Sequence, residues 1–288
     1  VERMRLPKGK LQGAAFFSPN GGAIMCQIDG RLFRVSESGT TFSSQFVPAQ
    51  FLNSPAIPKV WMQETDGSLV IQDGQSAAII YDGATARRSD PAGNEVPIGR
   101  MMAYGNGRLW VAINEHEVAA GDIKVSGFQS ELRFTETGYF LGGGAFYFPR
   151  KISALSFLPL ADTTSGLGEL VVFGLNFADT LRADVASRDL WADLPRFRAT
   201  ALPGIGAAGQ AAVTQVNQDL YFRCGNGEIR SFRSSRLEQN APGNSPISRE
   251  VSRLIDYESE TLLESASSIH FDGRLLTTAS PFYGPRGQ

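Results

Sequence analysis

Five aspartates, Asp29, Asp66, Asp73, Asp82 and Asp272, are the side chains whose type and recurrence come nearest to chemistry. Two carboxylates flanking a glycosidic bond can serve as acid and as base or nucleophile. Each of the five, however, stands directly before a glycine, where the requirements of a tight turn already account for an aspartate. His116, within the polar run Asn114-Glu115-His116-Glu117, is better placed for proton transfer than His270, which lies inside an apolar phrase. With these two histidines and two cysteines, Cys26 and Cys224, no close-spaced His/Cys pair of the usual metal-binding kind occurs. A G-x-S-x-G nucleophile elbow is absent, and the stretch DGQSAAIIYDG lacks the spacing of an EF-type calcium loop.

Gly204-Ile205-Gly206-Ala207-Ala208-Gly209 spells GxGxxG. A dinucleotide site needs a strand before that motif and a helix N-terminus after it. Here Pro203 precedes it and the strand-like QAAVTQVNQDLYF follows, so the cofactor reading is rejected. The expectation is therefore a chain with no catalytic, cofactor-binding or metal-ligating residues, and not an enzyme.

The elements that carry these residues recur as one altered phrase. It reads MCQIDGRLFRV at 25–35, QETDGSLVIQDG at 63–74, MAYGNGRLWVAI at 102–113, YFRCGNGEIRSF at 221–232 and SIHFDGRLLTTA at 268–279. In each copy Asp-Gly or Asn-Gly separates two short runs, the signature of a tight β-hairpin. The phrase glycines, Gly30, Gly67, Gly107, Gly227 and Gly273, are spaced by 37, 40, 120 and 46 residues. The long gap has room for two further units, LGELVVFGLNF at 167–177 and the less regular RFTETGYFLGGGAFYF at 133–148. Units of roughly 40–50 residues built of short strands indicate β-propeller blades. Six blades fit the length best, with five or seven also allowed. The aromatics within the phrases, Phe33, Trp110, Tyr221, Phe222 and Phe271, read as inter-blade core.

Composition sets the outer bounds. In 288 residues, 19 Phe and 3 Trp are ample for a core, while 31 Gly and 15 Pro suit many turns. No linker-like stretch divides the chain, so residues 1–288 are expected to form a single domain. The missing initiating Met and loose C-terminal residues lead to the expectation of a segment or processed product of a longer protein. A net charge of −2 gives no general drive toward nucleic acid or anionic membrane. Arg87-Arg88 and the group Arg230, Arg233 and Arg236 read as solvated faces. No apolar run approaches the ~20 residues needed to span a bilayer, and no signal peptide is visible. Cys26 and Cys224 sit in strand phrases as buried thiols, too far apart in the repeat to form a disulfide.

One helix interrupts the β pattern, over 246–256. Ile247, Val251, Leu254 and Ile255 fall on one helical stripe, Ser245 can cap it, and Pro246 suits its first position. That stripe packs on its own domain or forms an assembly surface against a neighbour.

Several phrases together resemble a known group. IIYDGATARRS at 79–89, VPIGRMMAYGNGRLWVA at 96–112 with VAAGDI at 118–123, and ELVVFG at 169–174 are similar to segments of tail-associated virion proteins of short-tailed bacteriophages. So is DLYFRCGNGEIRSFR…SPISREVSRLI…SIHFDGRLLTT over 219–278. These are β-propeller proteins of the tail nozzle, tube or tail hub. The resemblance implies a structural virion component without catalysis or cofactor, made in the host bacterial cytoplasm and carried in the tail. Its implied partners are other tail or portal-adaptor proteins and copies of itself in a ring, with passive contact to DNA passing through a channel. The alternative is a carbohydrate-active propeller, either a glycoside hydrolase or a glycan-binding receptor protein.

Overall fold

The computed structural model describes residues 6–38, 41–47, 52–135, 144–159, 168–183, 188–191, 193–194, 197–238, 245–251 and 260–278. The chain divides into two units, Val1–Phe146 and Tyr147–Gln288. In the first, β1 (Leu11–Phe17), β2 (Ala23–Ile28), β3 (Arg31–Ser38) and β4 (Thr41–Phe46) form one antiparallel sheet. β5 (Trp61–Glu64), β6 (Leu69–Gln72), β7 (Ile79–Tyr81) and β8 (Ala86–Arg88) form the second. The third comprises β9 (Met102–Gly105), β10 (Arg108–Ala112), β11 (Glu117–Ala120) and β12 (Ala145–Tyr147).

The second unit opens with a sheet of β13 (Ile152–Phe157), β14 (Leu170–Gly174), β15 (Phe177–Leu181) and β16 (Arg198–Pro203). A three-stranded sheet of β17 (Val213–Val216), β18 (Asp219–Arg223) and β19 (Ile229–Ser231) follows, then the short helix α1 (Phe232–Leu237). The hairpin β20 (Ser268–Phe271) and β21 (Arg274–Thr277) packs beside β17. Each sheet is a meander whose neighbouring strands are consecutive in the chain, which is the construction of a propeller blade. The fold is an all-β propeller of five blades, the lower end of the range the repeats allow.

Strand composition explains the stacking of blades within each unit. β6 reads LVIQ and is buried throughout. Its alternate side chains point to opposite faces. Leu69 and Ile71 meet Phe17, Met25 and Leu32 of the first blade, while Val70 meets Leu109 and Val111 of the third. A strand covered on both faces cannot show the apolar–polar alternation of a half-exposed sheet. β10 and β14 are likewise buried along their whole length. In the second unit Phe173 of β14 lies 5.1 Å from the ring of Phe222 on β18 and 6.0 Å from that of Phe232 on α1. Each such fully buried side chain contributes about 1.5–3 kcal/mol.

Glutamines, buried at Gln12 and Gln72 and half-buried at Gln210, fasten the segments that run between blades. Gln12 Nε2 donates to the carbonyls of Ser54 and Ile57 at 2.9 and 2.7 Å, and its Oε1 accepts from Gly30 N and Gln27 Nε2 at 2.6 and 3.1 Å. Gln72 donates to Pro97 O at 2.7 Å and accepts from Gly99 N at 3.2 Å. Gln210 makes the same two-way contact with the backbone of Leu155, both bonds 2.8 Å. A carboxamide offers donor and acceptor side by side, so it satisfies a free backbone N–H and C=O that no strand partner reaches. Gly30 is part of the first fastening. Its φ is +80°, and a Cβ there would fall 2.0 Å from Asn53 O.

The Asp-Gly and Asn-Gly hairpin turns are of two kinds. Asp29-Gly30, Asn106-Gly107 and Asp272-Gly273 have positive φ at both residues, as a type I′ turn requires. At Asp66-Gly67, Asp82-Gly83 and Asn226-Gly227 only the glycine does.

The α-helix of the described residues is α1, not a segment of 246–256. Ser231 caps it by accepting from Ser234 N at 3.1 Å, and Asp219 accepts from Arg233 N at 3.0 Å. Within 246–256, Arg249–Val251 form a single 3-10 turn, and residues 252–256 lie outside the described set. The physical reason is in the backbone: Ile247 N donates to Ile229 O at 3.0 Å and Ser248 Oγ accepts from Ile229 N at 3.0 Å. This segment runs along the edge of β19 and supplies it with partners.

Candidate functional site

The apolar stripe proposed for assembly is placed in part. Ile247 and Val251 are 53% and 45% exposed on the segment that borders β19. Leu254 and Ile255 lie outside the described residues. Ser248, between the two exposed side chains, is buried and holds the segment down. Ile247 and Val251 thus stand on an anchored backbone with their side chains largely in solvent. Leu237, at the end of α1, is also highly exposed.

Other outward apolar groups escaped the sequence reading. Phe16 and Ile24 face each other across β1 and β2 and are both exposed. On the last hairpin Ile269 lies opposite Leu276, and both are exposed together with Phe271. Of the aromatics expected in the core, Phe33, Trp110 and Phe222 are buried and Tyr221 is half-buried. Phe271 departs from that expectation at 66% exposure, because among the described residues its sheet has two strands and no blade covers this face.

Two of the five aspartates, Asp73 and Asp82, bind their own turns, while Asp29 fastens a distant backbone group. Asp73 Oδ1 accepts from the backbone N of Gln75 and Ser76, Asp82 Oδ1 from those of Ala84 and Thr85, and Asp29 Oδ1 from Lys10 N. Burial pushes the Asp82 carboxyl upward, but the donors from Thr85 and Ala84 outweigh it and hold the group below its ordinary range. Asp66 is different. Lys124 Nζ lies 3.3 Å from Asp66 Oδ2 and 3.0 Å from Glu131 Oε2, and Glu131 is fully buried. Burial, then the charges of Glu131 and Asp66, push the nearby Tyr104 phenol up to about 12. Glu131 carried no turn signal or motif, so nothing in the sequence pointed to this cluster. The Lys124 ammonium offsets the buried Glu131 carboxylate, while Asp66 is largely in solvent, which suits a structural pin at the Gly107 turn.

His116 N donates to Asn114 Oδ1 at 2.7 Å in a local turn, while His270 lies exposed on β20. Among the described residues no group of three His, Cys, Asp or Glu side chains converges. The GxGxxG stretch leads into a single 3-10 turn, Gln210–Ala212, and then β17, with no α-helix after it, and Gly206 lets the chain pass where a Cβ would sit 1.9 Å from Gly174 O. The arginine groups are engaged within their own units. Arg87 donates twice to Glu95, Arg230 pairs with Glu228, Arg236 with Glu169, and Arg233 donates to the carbonyls of Gln218 and Pro159.

No family model matches the chain, and no curated protein matches it in sequence. Its backbone is similar to several solved structures. These include BBS1N in complex with ARL6DN (11% identity, TM-score 0.43, 78% of this chain and 66% of that one) and a chain of the mitotic checkpoint complex (12%, 0.43, 78% and 62%). PorZ, a bacterial surface component of the type-IX secretion system of Porphyromonas gingivalis, is another (13%, 0.45, 78% and 27%). The chain therefore spans less than two thirds of the length of each.

Cys26 and Cys224 are free, buried thiols. Burial raises both, that of Cys224 to about 12. The thiolate is the reactive form. At pH 8, Cys224 is expected to react with a disulfide reagent roughly a thousandfold more slowly than a free cysteine, until denaturant exposes it. Rapid labelling of the folded protein at Cys224 would contradict its burial. Among the described residues no helix is long and apolar enough to cross a membrane.

Proposed function

We propose that the chain is a structural component of a bacteriophage virion, in the tail nozzle, tube or hub, that works by protein–protein assembly without catalysis. The observation that carries this reading is the set of phrases at 79–123, 169–174 and 219–278 that resemble tail-associated virion proteins. They coincide with blade strands and with the segment bearing Ile247 and Val251. Exposed apolar side chains on anchored backbone supply the kind of contact an oligomeric ring requires, and heterologous contacts close a ring by rotation. The partners are other tail or portal-adaptor proteins and further copies of this chain. A net charge of −2 suits a wall past which DNA moves without adhering. On this reading the protein is made in the host cytoplasm and resides in the virion.

The double variant Ile247→Asp/Val251→Asp tests the surface. Both side chains are largely in solvent, so the melting temperature is expected to hold while native mass falls or tail-protein binding is lost. Unaltered assembly of a normally folded variant would rule this surface out. Release of reducing sugar, or retention on a glycan array, would favour the carbohydrate-active alternative.

A further inference from the structure

On the fourth blade, Pro149, Arg150, Phe177, Asp179, Arg198 and Thr200 line a small pocket. The antiparallel register of β15 and β16 sets Asp179 directly opposite Thr200, with Arg198 two residues away on the same side of β16. Arg198 is fixed from three directions. Its guanidinium lies 4.1 Å over the Phe148 ring, Nε and Nη2 donate to Asp179 Oδ2 at 2.9 and 2.6 Å, and Nη1 donates to Tyr147 O at 2.7 Å. Asp179 is buried, and the shared oxygen makes it the dedicated counter-charge of Arg198.

Arg150 is held with far less of its donor capacity used. Its guanidinium lies 5.2 Å from the centre of the Phe177 ring, and Nη1 donates to Asn176 O at 3.2 Å. Among the described residues its Nε and Nη2 donors have no protein partner. A cation–π contact and one carbonyl bond restrain the guanidinium while leaving its remaining N–H groups available. The lining has two guanidinium groups against one carboxylate, and the excess positive charge resides at Arg150.

We propose that this pocket binds a single oxyanion, a carboxylate or a phosphate, on the Arg150 fork with the Thr200 hydroxyl as a further donor. Arg–oxyanion pairs are often bidentate, and an arginine already oriented loses little freedom on binding. A cation is disfavoured by the two arginines. A neutral sugar ring lacks a platform, because the one phenyl in the lining, Phe177, is buried. The inference does not depend on the assembly reading and stands or falls separately from it.

The test is a titration of the arginine Nε–Hε resonances of the 15N-labelled protein with inorganic phosphate and with acetate, against sodium chloride at matched ionic strength. A saturable shift is expected at Arg150 and at its pocket neighbour Arg198; read at Arg198, binding is weaker by at least about tenfold in Arg150→Gln and weaker also in Arg150→Lys, which keeps the charge but loses the fork. Tighter binding of phosphate or of acetate identifies the source of the oxyanion. A linear response equal to that of chloride would overturn the proposal. So would binding unchanged in a folded Arg150→Gln variant. Thr200→Val, on an exposed position, is expected to weaken the same shift.

Discussion

Trp110→Ala is expected to destabilise the protein by about 3–5 kcal/mol, the range for removing a fully buried large aromatic. Trp110 is at the middle of β10 and has no exposed surface. Its neighbours across the sheet are Ala103 on β9 and Ala120 on β11, two small residues that leave space for the indole. The ring of Phe146 lies 6.0 Å away. Two flanking alanines cannot move in to fill the space the indole vacates, so most of the cavity persists. Leu109 and Val111 on either side belong to the opposite face and pack toward the second blade. The variant therefore probes one face of the third blade without disturbing the other. Chemical denaturation measures the loss, and an unchanged midpoint would mean that the indole is not part of the core.

Gln12→Leu is expected to cost about 3 kcal/mol or more by a different mechanism. Leucine fills nearly the same volume, so little cavity arises. It removes partners from Gly30 N, the carbonyls of Ser54 and Ile57, and Gln27 Nε2. A buried polar group deprived of its partner costs about 1–3 kcal/mol, so the sum exceeds the gain from burying an apolar side chain. Water entering the site can recover part of this, which sets the lower figure. Gln27→Leu removes a smaller share of the network, since Gln27 contacts Gln12 and Asn53 alone among the contacts at this fastening, and its effect is expected to be smaller. If the two variants prove equally mild, the network does not hold the first blade to the segment before the second.

The hairpins were legible because their chemistry is local. Asp29-Gly30, Asn106-Gly107 and Asp272-Gly273 adopt the left-handed geometry that those residue pairs favour. The spacing of the phrases was a poorer guide to blades. Gly67 and Gly107 close first-to-second strand turns, whereas Gly30 and Gly227 close second-to-third ones. A period measured across both kinds of turn mixes two positions within the blade. Five blades result, since the long gap holds one blade, β13–β16, where two units had been expected. Of the irregular stretch at 133–148, Ala145–Tyr147 joins the third blade as β12, and Arg133 bridges to Glu95. Residues 136–143 lie outside the described set.

The described part of the apolar stripe, 247–251, shows the same limit in another form. Its spacing fits a helix, yet the backbone of Ile247 and Ser248 is drawn to β19, a partner the local pattern does not reveal. Tertiary pairing overrides periodicity there. The Lys124–Glu131–Asp66 cluster and the Arg150–Arg198 pocket were unreadable for a related reason. Their members are brought together by the stacking and register of strands, and apart from Asp66, which precedes a turn glycine, no motif marks any of them.

The native mass of the protein, measured by sedimentation velocity at near-physiological salt across the micromolar range, tests assembly most directly. Assembly as a tail component predicts a closed oligomer of defined subunit number. A single-subunit mass throughout that range would contradict it.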